Sequence, residues 1–239
     1  ASMTGLSPNV TYDVYVQNDC TPLNGYSIWE GPFTFTTLPA PTYLTDFASY
    51  YPSNLYEEAQ GLMGGAMTYG TSDWFTDGYL NNGFNGAISA YFQASTFSIP
   101  QEDWYVTTPI DLGAGGSYEM HIDLGVTRSL QTGAGSFEAD DTLRIGISTD
   151  GGITFQELSN FNQSNQPNEI GATYTFNLTA YSGVVRFGFM IDNPIVNTNS
   201  TTFGYPQVHI DNFGVRPIPA CPDPAVFTAL SVTDTSVTM

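Results

Sequence analysis

The sequence contains no lysine. Its positive charge rests on Arg128, Arg144, Arg186 and Arg216 alone, set against 23 acidic residues for a formal charge of -19. So negative a surface repels phosphate backbones and anionic membranes, which excludes nucleic acid as a partner, because that binding depends on Lys and Arg neutralising phosphates. Charge of either sign is also scarce, at 11% of residues against about 25% in an ordinary globular chain. Thr, Ser, Asn and Gly fill the deficit, so the surface is polar but largely uncharged. No run approaches the roughly 18 apolar residues of a membrane helix, and no membrane span is expected. No secretory leader is evident, as an internal excerpt of a longer chain would have it.

Helix signals are nearly missing. One stretch leans helical, Tyr56 to Met67, and Gly61, Gly64 and Gly65 interrupt it. Histidine stands only at 121 and 209 and no H-E-x-x-H occurs, which removes the ligand sets of metal hydrolases. There is no G-x-S-x-G to place a serine on a nucleophile elbow. The spacing of the acids singles out no pair for glycoside cleavage. Both histidines read as polar strand positions, and catalysis is not expected.

What the sequence does have is alternation. Residues 12–16, 33–36, 143–147, 174–178 and 185–189 place apolar side chains at every second position, as half-buried antiparallel strands require. Asp150-Gly151-Gly152 sits between two such runs and predicts a hairpin, since glycine supplies the positive φ of tight turns. Tyr181-Ser182-Gly183 separates the next two runs and is expected to act in the same way. With 41% hydrophobic and 14% aromatic residues, the chain can pack a sizeable core. The fold class expected is all-β.

Proline marks the boundaries. Pro39-Ala40-Pro41 and Pro217-Ile218-Pro219 are short, stiff connections. They divide the chain into residues 1–38, 39–216 and 217–239, which predicts a semi-rigid rod of β-domains.

The end pieces carry a first resemblance. Leu6-Ser7-Pro8 leading to Tyr12, then Trp29-Glu30-Gly31-Pro32 and Phe33-Thr34-Phe35-Thr36-Thr37, resemble the last strands of a fibronectin type III module. The resemblance implies that the Tyr12 hydroxyl closes back onto the loop backbone. Cys221-Pro222-Asp223-Pro224 and the residues after it are similar to the first strands of another such module. Both pieces together fall well short of a complete sandwich, so each is expected to be part of a module and the chain part of a longer one. In related bacterial modules a cysteine of the C-P-x-P segment pairs with one at the end of the V-x-V-x-x-x-C strand. That implies Cys20 and Cys221 belong to successive modules and do not pair within one chain, and such pairs would place the protein in an oxidising compartment.

Residues 42–216 carry a second resemblance. PSNLYEEAQG, QEDWYVTTPIDLG, DDTLRIGISTDGGITFQEL and FNLTAYSGVVRFGFMIDNP followed by VHIDNFGV are similar, in this order, to segments of MAM-like, cleaved-adhesin and choice-of-anchor J domains. The resemblance implies a two-sheet jelly-roll β-sandwich. By position it also implies a structural calcium ion held by Asp46, Asp103 and Asp211, with Asp46 standing where the family usually has glutamate. Asp103 capping a turn and Asp211 ending a strand is the alternative. Trp74, Phe75, Tyr79 and Phe84, set among Asn, Gly and Asp, either offer a stacking platform for sugar rings or fill the core under a long loop. Trp104 is expected in the core.

Fibronectin type III modules alternating with jelly rolls resemble type IX-secreted surface adhesins of gliding bacteria. The implied function is a non-catalytic repeat of a secreted cell-surface stalk or filament, with neighbouring modules or identical chains as partners. The alternative is a carbohydrate-binding module beside a secreted hydrolase or peptidase, with surface polysaccharide as partner. Whether the parent gene repeats this pair of modules many times or contains it once beside an enzyme separates them.

Overall fold

The computed structural model describes residues 2–19, 22, 25–48, 57–84, 86–92, 100–194 and 205–220, with backbone pairing also at Ser231–Val232 and Val237–Thr238. Cys20, Cys221 and their pairing lie outside the described residues.

Strands β1 (Thr11–Val16) and β2 (Glu30–Thr36) pair antiparallel with Tyr12 opposite Phe35 and Val14 opposite Phe33. Strand alternation then sorts the ribbon into an apolar face of Tyr12, Val14, Phe33 and Phe35 and a polar face of Thr11, Asp13, Thr34 and Thr36. The rings of Tyr12 and Phe35 stack at 5.9 Å. On the polar face Thr34 donates to Asp13 and the Thr11 and Thr36 hydroxyls meet. The Tyr12 hydroxyl accepts a hydrogen bond from the Ser7 backbone N–H at 2.9 Å, closing the loop as Leu6-Ser7-Pro8 implied.

From Tyr43 to Pro217 the chain builds two antiparallel sheets. The first comprises β3 (Tyr43–Thr45), β6 (Phe75–Asp77), β7 (Ala87–Tyr91), β10 (Tyr118–Arg128), β13 (Ala172–Asn177) and β15 (Pro206–Pro217), in the order β13-β10-β15-β7-β6 with β3 also on β15. The second comprises β4 (Glu57–Gln60), β5 (Thr68–Tyr69), β8 (Gln101–Val106), β9 (Ile110–Asp111), β11 (Thr142–Ser148), β12 (Gln156–Asn162) and β14 (Val184–Asn193), in the order β12-β11-β14-β8-β4-β5 with β9 also on β14. Two short strands, β16 (Ser231–Val232) and β17 (Val237–Thr238), pair with each other. The chain is an all-β sandwich, and the described helix is a single 3-10 turn at Tyr79–Asn81. The part of the helical-leaning stretch that is described opens as strand β4, because Glu57 to Gln60 pair with Val106 to Asp103.

Alternation fills the space between the sheets. Met120, Ile122, Leu124 and Val126 on β10 face Val185, Phe187, Phe189 and Ile191 on β14, with Leu143, Ile145 and Ile147 of β11 beside them, all essentially buried. Strand β15 changes phase along its length: Val208 and Ile210 point inward, then Phe213 and Val215 do. The switch is a bulge against His121 to Asp123 on β10, taken up at Asn212 with φ 47°. Asparagine tolerates that left-handed conformation better than most residues.

A second, smaller core lies on the outer face of the second sheet, where Trp104, Val106, Ala59, Met190 and Phe155 pack beneath Met63 and Met67. Trp104 is therefore buried as expected, but outside the space between the sheets. It lies flat because Gly188 and Gly146 sit beneath it, where an added Cβ would come within 2.7 and 3.1 Å of the ring.

The Asp150 turn joins the paired strands β11 and β12. The Asp150 carboxylate accepts from Thr154 N and Oγ1 and from Ser148 Oγ, which delays the second strand to Gln156. These hydrogen bonds hold its pKa well below the usual carboxylate range. The Tyr181-Ser182-Gly183 turn is not a hairpin: β13 pairs with β10 and β14 with β11, so this turn carries the chain from one sheet to the other. Buried Leu178 anchors the crossing.

Candidate functional site

The outer face of the first sheet is where chemistry-bearing side chains gather. His209 on β15 is fully buried, with Nδ1 at 2.8 Å from Ser89 Oγ and Nε2 at 2.8 Å from Thr127 Oγ1. Burial lowers its pKa to about 4, against a smaller upward pull from Asp77. At neutral pH the imidazole is uncharged.

The 3-10 turn closes over this network. Asn81 Nδ2 lies 2.8 Å from Thr127 Oγ1, 2.9 Å from Gln131 O and 3.1 Å from Gln207 Oε1, while Gln207 donates to Asp77 at 2.6 Å. Leu80 and Asn81 take left-handed φ of 57° and 60°, a conformation that costs a non-glycine residue about 1–2 kcal/mol. The contacts beneath hold them there. Leu80 fills the space over Gly125, where a Cβ would come within 2.2 Å of its Cδ2. Ser89, His209 and Asp77 supply the three residue types of a nucleophilic triad, yet Ser89 and His209 are both 0% exposed. The arrangement seals a cap onto a sheet.

Beside the cap, Asp123 on β10 stands directly opposite Asp211 on β15. The Asp123 carboxylate accepts from Thr173 Oγ1 at 2.5 Å and from Asn212 Nδ2 at 2.8 Å, so the bulge residue and strand β13 together satisfy it. Asp211 is half-buried; burial pushes its pKa up to about 6, and the charges of Asp123 and Asp46 add to that. The Asn212 N–H pulls the other way. The Tyr79 hydroxyl is pushed up by burial and then by Asp123 and Asp211. Tyr79, Asp123, Ile170, Gly171, Ala172 and Thr173 line an open hollow of about 240 Å³.

Asp46 lies near enough for its charge to act on Asp211, whereas Asp103 stands on the other sheet. Asp103 lies on β8 of the second sheet, where Gln60 Nε2 donates to it at 3.0 Å. Burial raises its pKa to about 6, followed among the raising causes by Asp73 and Glu102. Among the described residues no three His, Cys, Asp or Glu side chains converge on a metal position. The three expected ligands are thus not gathered into one such group.

The expected aromatic platform also separates. Trp74 is 3% exposed, donates Nε1 to Asp103 O at 3.1 Å and belongs to the main core, so it offers no face to a ligand. Phe75 is half-buried against Tyr91, with ring centroids 4.9 Å apart. Phe84 is 89% exposed. Tyr79 alone of the four lines the hollow. Its neighbour Asp123 carried no motif, and only the register of two strands distant in sequence brings it to Asp211.

No protein-family model matches the chain, and no curated protein matches it in sequence. Among solved structures, the chain is similar to the K1 cleaved adhesin domain of Lys-gingipain from Porphyromonas gingivalis W83, at 11% identity over 74% of this chain and 99% of that one, with a TM-score of 0.45. The K3 cleaved adhesin domain of the same protein gives 12% identity over 73% and 98%, with a TM-score of 0.41. A family 6 carbohydrate-binding module from Clostridium stercorarium in complex with cellobiose gives 11% identity over 75% and 97%, with a TM-score of 0.34.

Proposed function

We propose that this chain is a non-catalytic segment of a secreted, modular cell-surface protein, acting as part of an adhesin stalk. The observation that carries the reading is the joint between the β1–β2 ribbon and the sandwich. Asn9 N donates to Leu38 O, Thr37 Oγ1 donates to Ser7 O, and Asp111 N donates to Pro39 O at 2.9 Å, so the linker is bonded on both sides. Pro8 and Asn9 share one hollow with Pro39 to Leu44. A tethering linker needs none of these bonds; a stiff rod does. The Tyr12–Ser7 closure and the two-faced ribbon support reading residues 1–38 as the closing strands of a fibronectin type III module. The scarcity of charge, and of lysine above all, suits an exposed filament that must avoid non-specific attraction.

Small-angle scattering tests the joint. The wild-type profile is expected to fit a single elongated shape, and a Pro39→Gly, Pro41→Gly variant to need an ensemble. If the two profiles are equally flexible, the stalk reading fails.

A second reading, glycan binding, is favoured by the hollow beside Tyr79. It sets an aromatic ring and an exposed Ile170 side chain next to Asp123 and Thr173, a mixture of apolar surface and hydrogen-bonding groups that suits one sugar residue. Its volume is below the ~300 Å³ of ordinary small-molecule sites, so a single ring of a polysaccharide is the size it takes. In a glycan-array screen, Tyr79→Ala is expected to abolish any wild-type signal. A signal that survives the substitution places the sugar elsewhere.

A further inference from the structure

Every sheet that does not close on itself has edges, and an edge strand with free backbone groups is a template for another strand unless something blunts it. Among the described strands, the edges other than β13 are blunted with acid or with brevity. Strand β12 carries Glu157, held by Arg144; β6 ends in Asp77; β9 carries Asp111; β3 and β5 are three and two residues long. Strand β13 is different. It is six residues long, Ala172-Thr173-Tyr174-Thr175-Phe176-Asn177, stands at the end of its sheet, and has no charged residue, proline or glycine.

Register decides which of its backbone groups are spent. Leu178 N donates to Tyr118 O, and the β10–β13 pairing keeps that phase, with Met120 opposite Phe176, Ile122 opposite Tyr174 and Leu124 opposite Ala172. In an antiparallel ladder, alternate pairs exchange hydrogen bonds. Tyr174 and Phe176 therefore bond inward to β10, while the N–H and C=O groups of Thr173, Thr175 and Asn177 point away from the sheet. All three of these residues are exposed. Tyr174 and Phe176 rest half-buried against the main core, their remaining surface open at the edge.

We propose that β13 is a docking edge for β13 of a second copy of this chain. The strand is self-complementary about Thr175: an antiparallel partner in two-fold register sets Thr175 opposite Thr175, Thr173 opposite Asn177, and Tyr174 opposite Phe176. Each outward pair then exchanges its two hydrogen bonds, and the two aromatics meet across the seam. The occupant is argued from charge. A chain of net charge -19 repels its copies at acidic edges, and β13 is the only described edge strand longer than three residues at which two copies meet with no charge of their own. One strand pair is smaller than a standard interface, so a single copy associates weakly; copies repeated along a stalk would multiply the effect. The proposal concerns isolated copies and does not depend on the stalk reading.

Sedimentation velocity over a concentration series tests it. The wild-type chain is expected to show a monomer–dimer equilibrium. Thr175→Pro removes an outward N–H and leaves the ladder to β10 intact, and should weaken dimerisation by at least about tenfold, the equivalent of 1.4 kcal/mol; Thr175→Glu should do the same by setting two like charges opposite each other. In a Cys20→Ser, Cys221→Ser background, Thr175→Cys should form a disulfide dimer faster than the exposed turn variant Ser164→Cys. A wild type that stays monomeric and shows no such preference overturns the proposal. So does a dimer indifferent to both Thr175→Pro and Thr175→Glu.

Discussion

Replacing Trp104 with alanine is expected to lower the unfolding free energy by about 3–5 kcal/mol. The indole is 0% exposed and tilts against Phe155 at 4.9 Å. Its Nε1 donates to Gly61 O at 2.7 Å. Alanine would open a cavity over Gly146 and Gly188, beneath Met63 and Met67, and would remove the indole's bond to that part-buried carbonyl. Two costs therefore add: lost burial and a lost hydrogen bond. Trp104→Phe refills most of the volume but not the bond, so it should fall between alanine and wild type. Urea titration of the three proteins measures this. A loss under about 1 kcal/mol for alanine would mean that the loop over the ring collapses freely, and the outer core would not be a packed structure.

Acidification is expected to cost the protein about 3 kcal/mol through His209 alone. The unfolded chain takes up this proton near pH 6.5, whereas the folded imidazole, buried against Ser89 and Thr127, takes it up only near 4. Between those values the unfolded state holds the extra proton. The stability contribution is thus present above pH 6.5 and falls as pH is lowered toward 4. Asp103 and Asp211 act in the opposite sense, because their folded carboxyls titrate near 6, above the unfolded value of 3.8. Their share is complete below about 4 and lost as pH rises through 6. Total stability mixes these trends, and a difference isolates one of them. The stability of wild type minus that of His209→Gln should fall by about 3 kcal/mol from pH 6.5 to pH 4, with both carboxylates cancelling. A flat difference would show that His209 is hydrated in solution and that the cap does not seal it.

The architecture was legible wherever alternation was strict. Residues 143–147 and 185–189 alternate cleanly, and both are central strands of the second sheet. Alternation reports which face a side chain takes, but not which strand lies alongside. Tyr181-Ser182-Gly183 therefore looked like a hairpin while joining two sheets. The same limit explains the site. Asp211 could be found from the I-D-N strand, but its opposite, Asp123, depends on a register between β10 and β15 that no local pattern contains. Trp74 and Tyr79 sit five residues apart in one aromatic stretch, yet one is core and the other lines a hollow. The difference lies in Leu80 and Asn81, whose left-handed turn follows from contacts with Gly125 and Gln207, far along the chain.

The phase change in β15 has a further meaning for how this sequence can vary. Ahead of Asn212 the strand pairs with β7, and from Phe213 onward with β3, so one strand serves two neighbours on the same side. What the core requires at this point of the chain is arithmetic: one residue more than its partner strand. Glycine there would keep the count. Deleting the residue would turn Phe213 and Val215 out of the core and would take with it the donors that Asn212 offers Asp123 and Asp211.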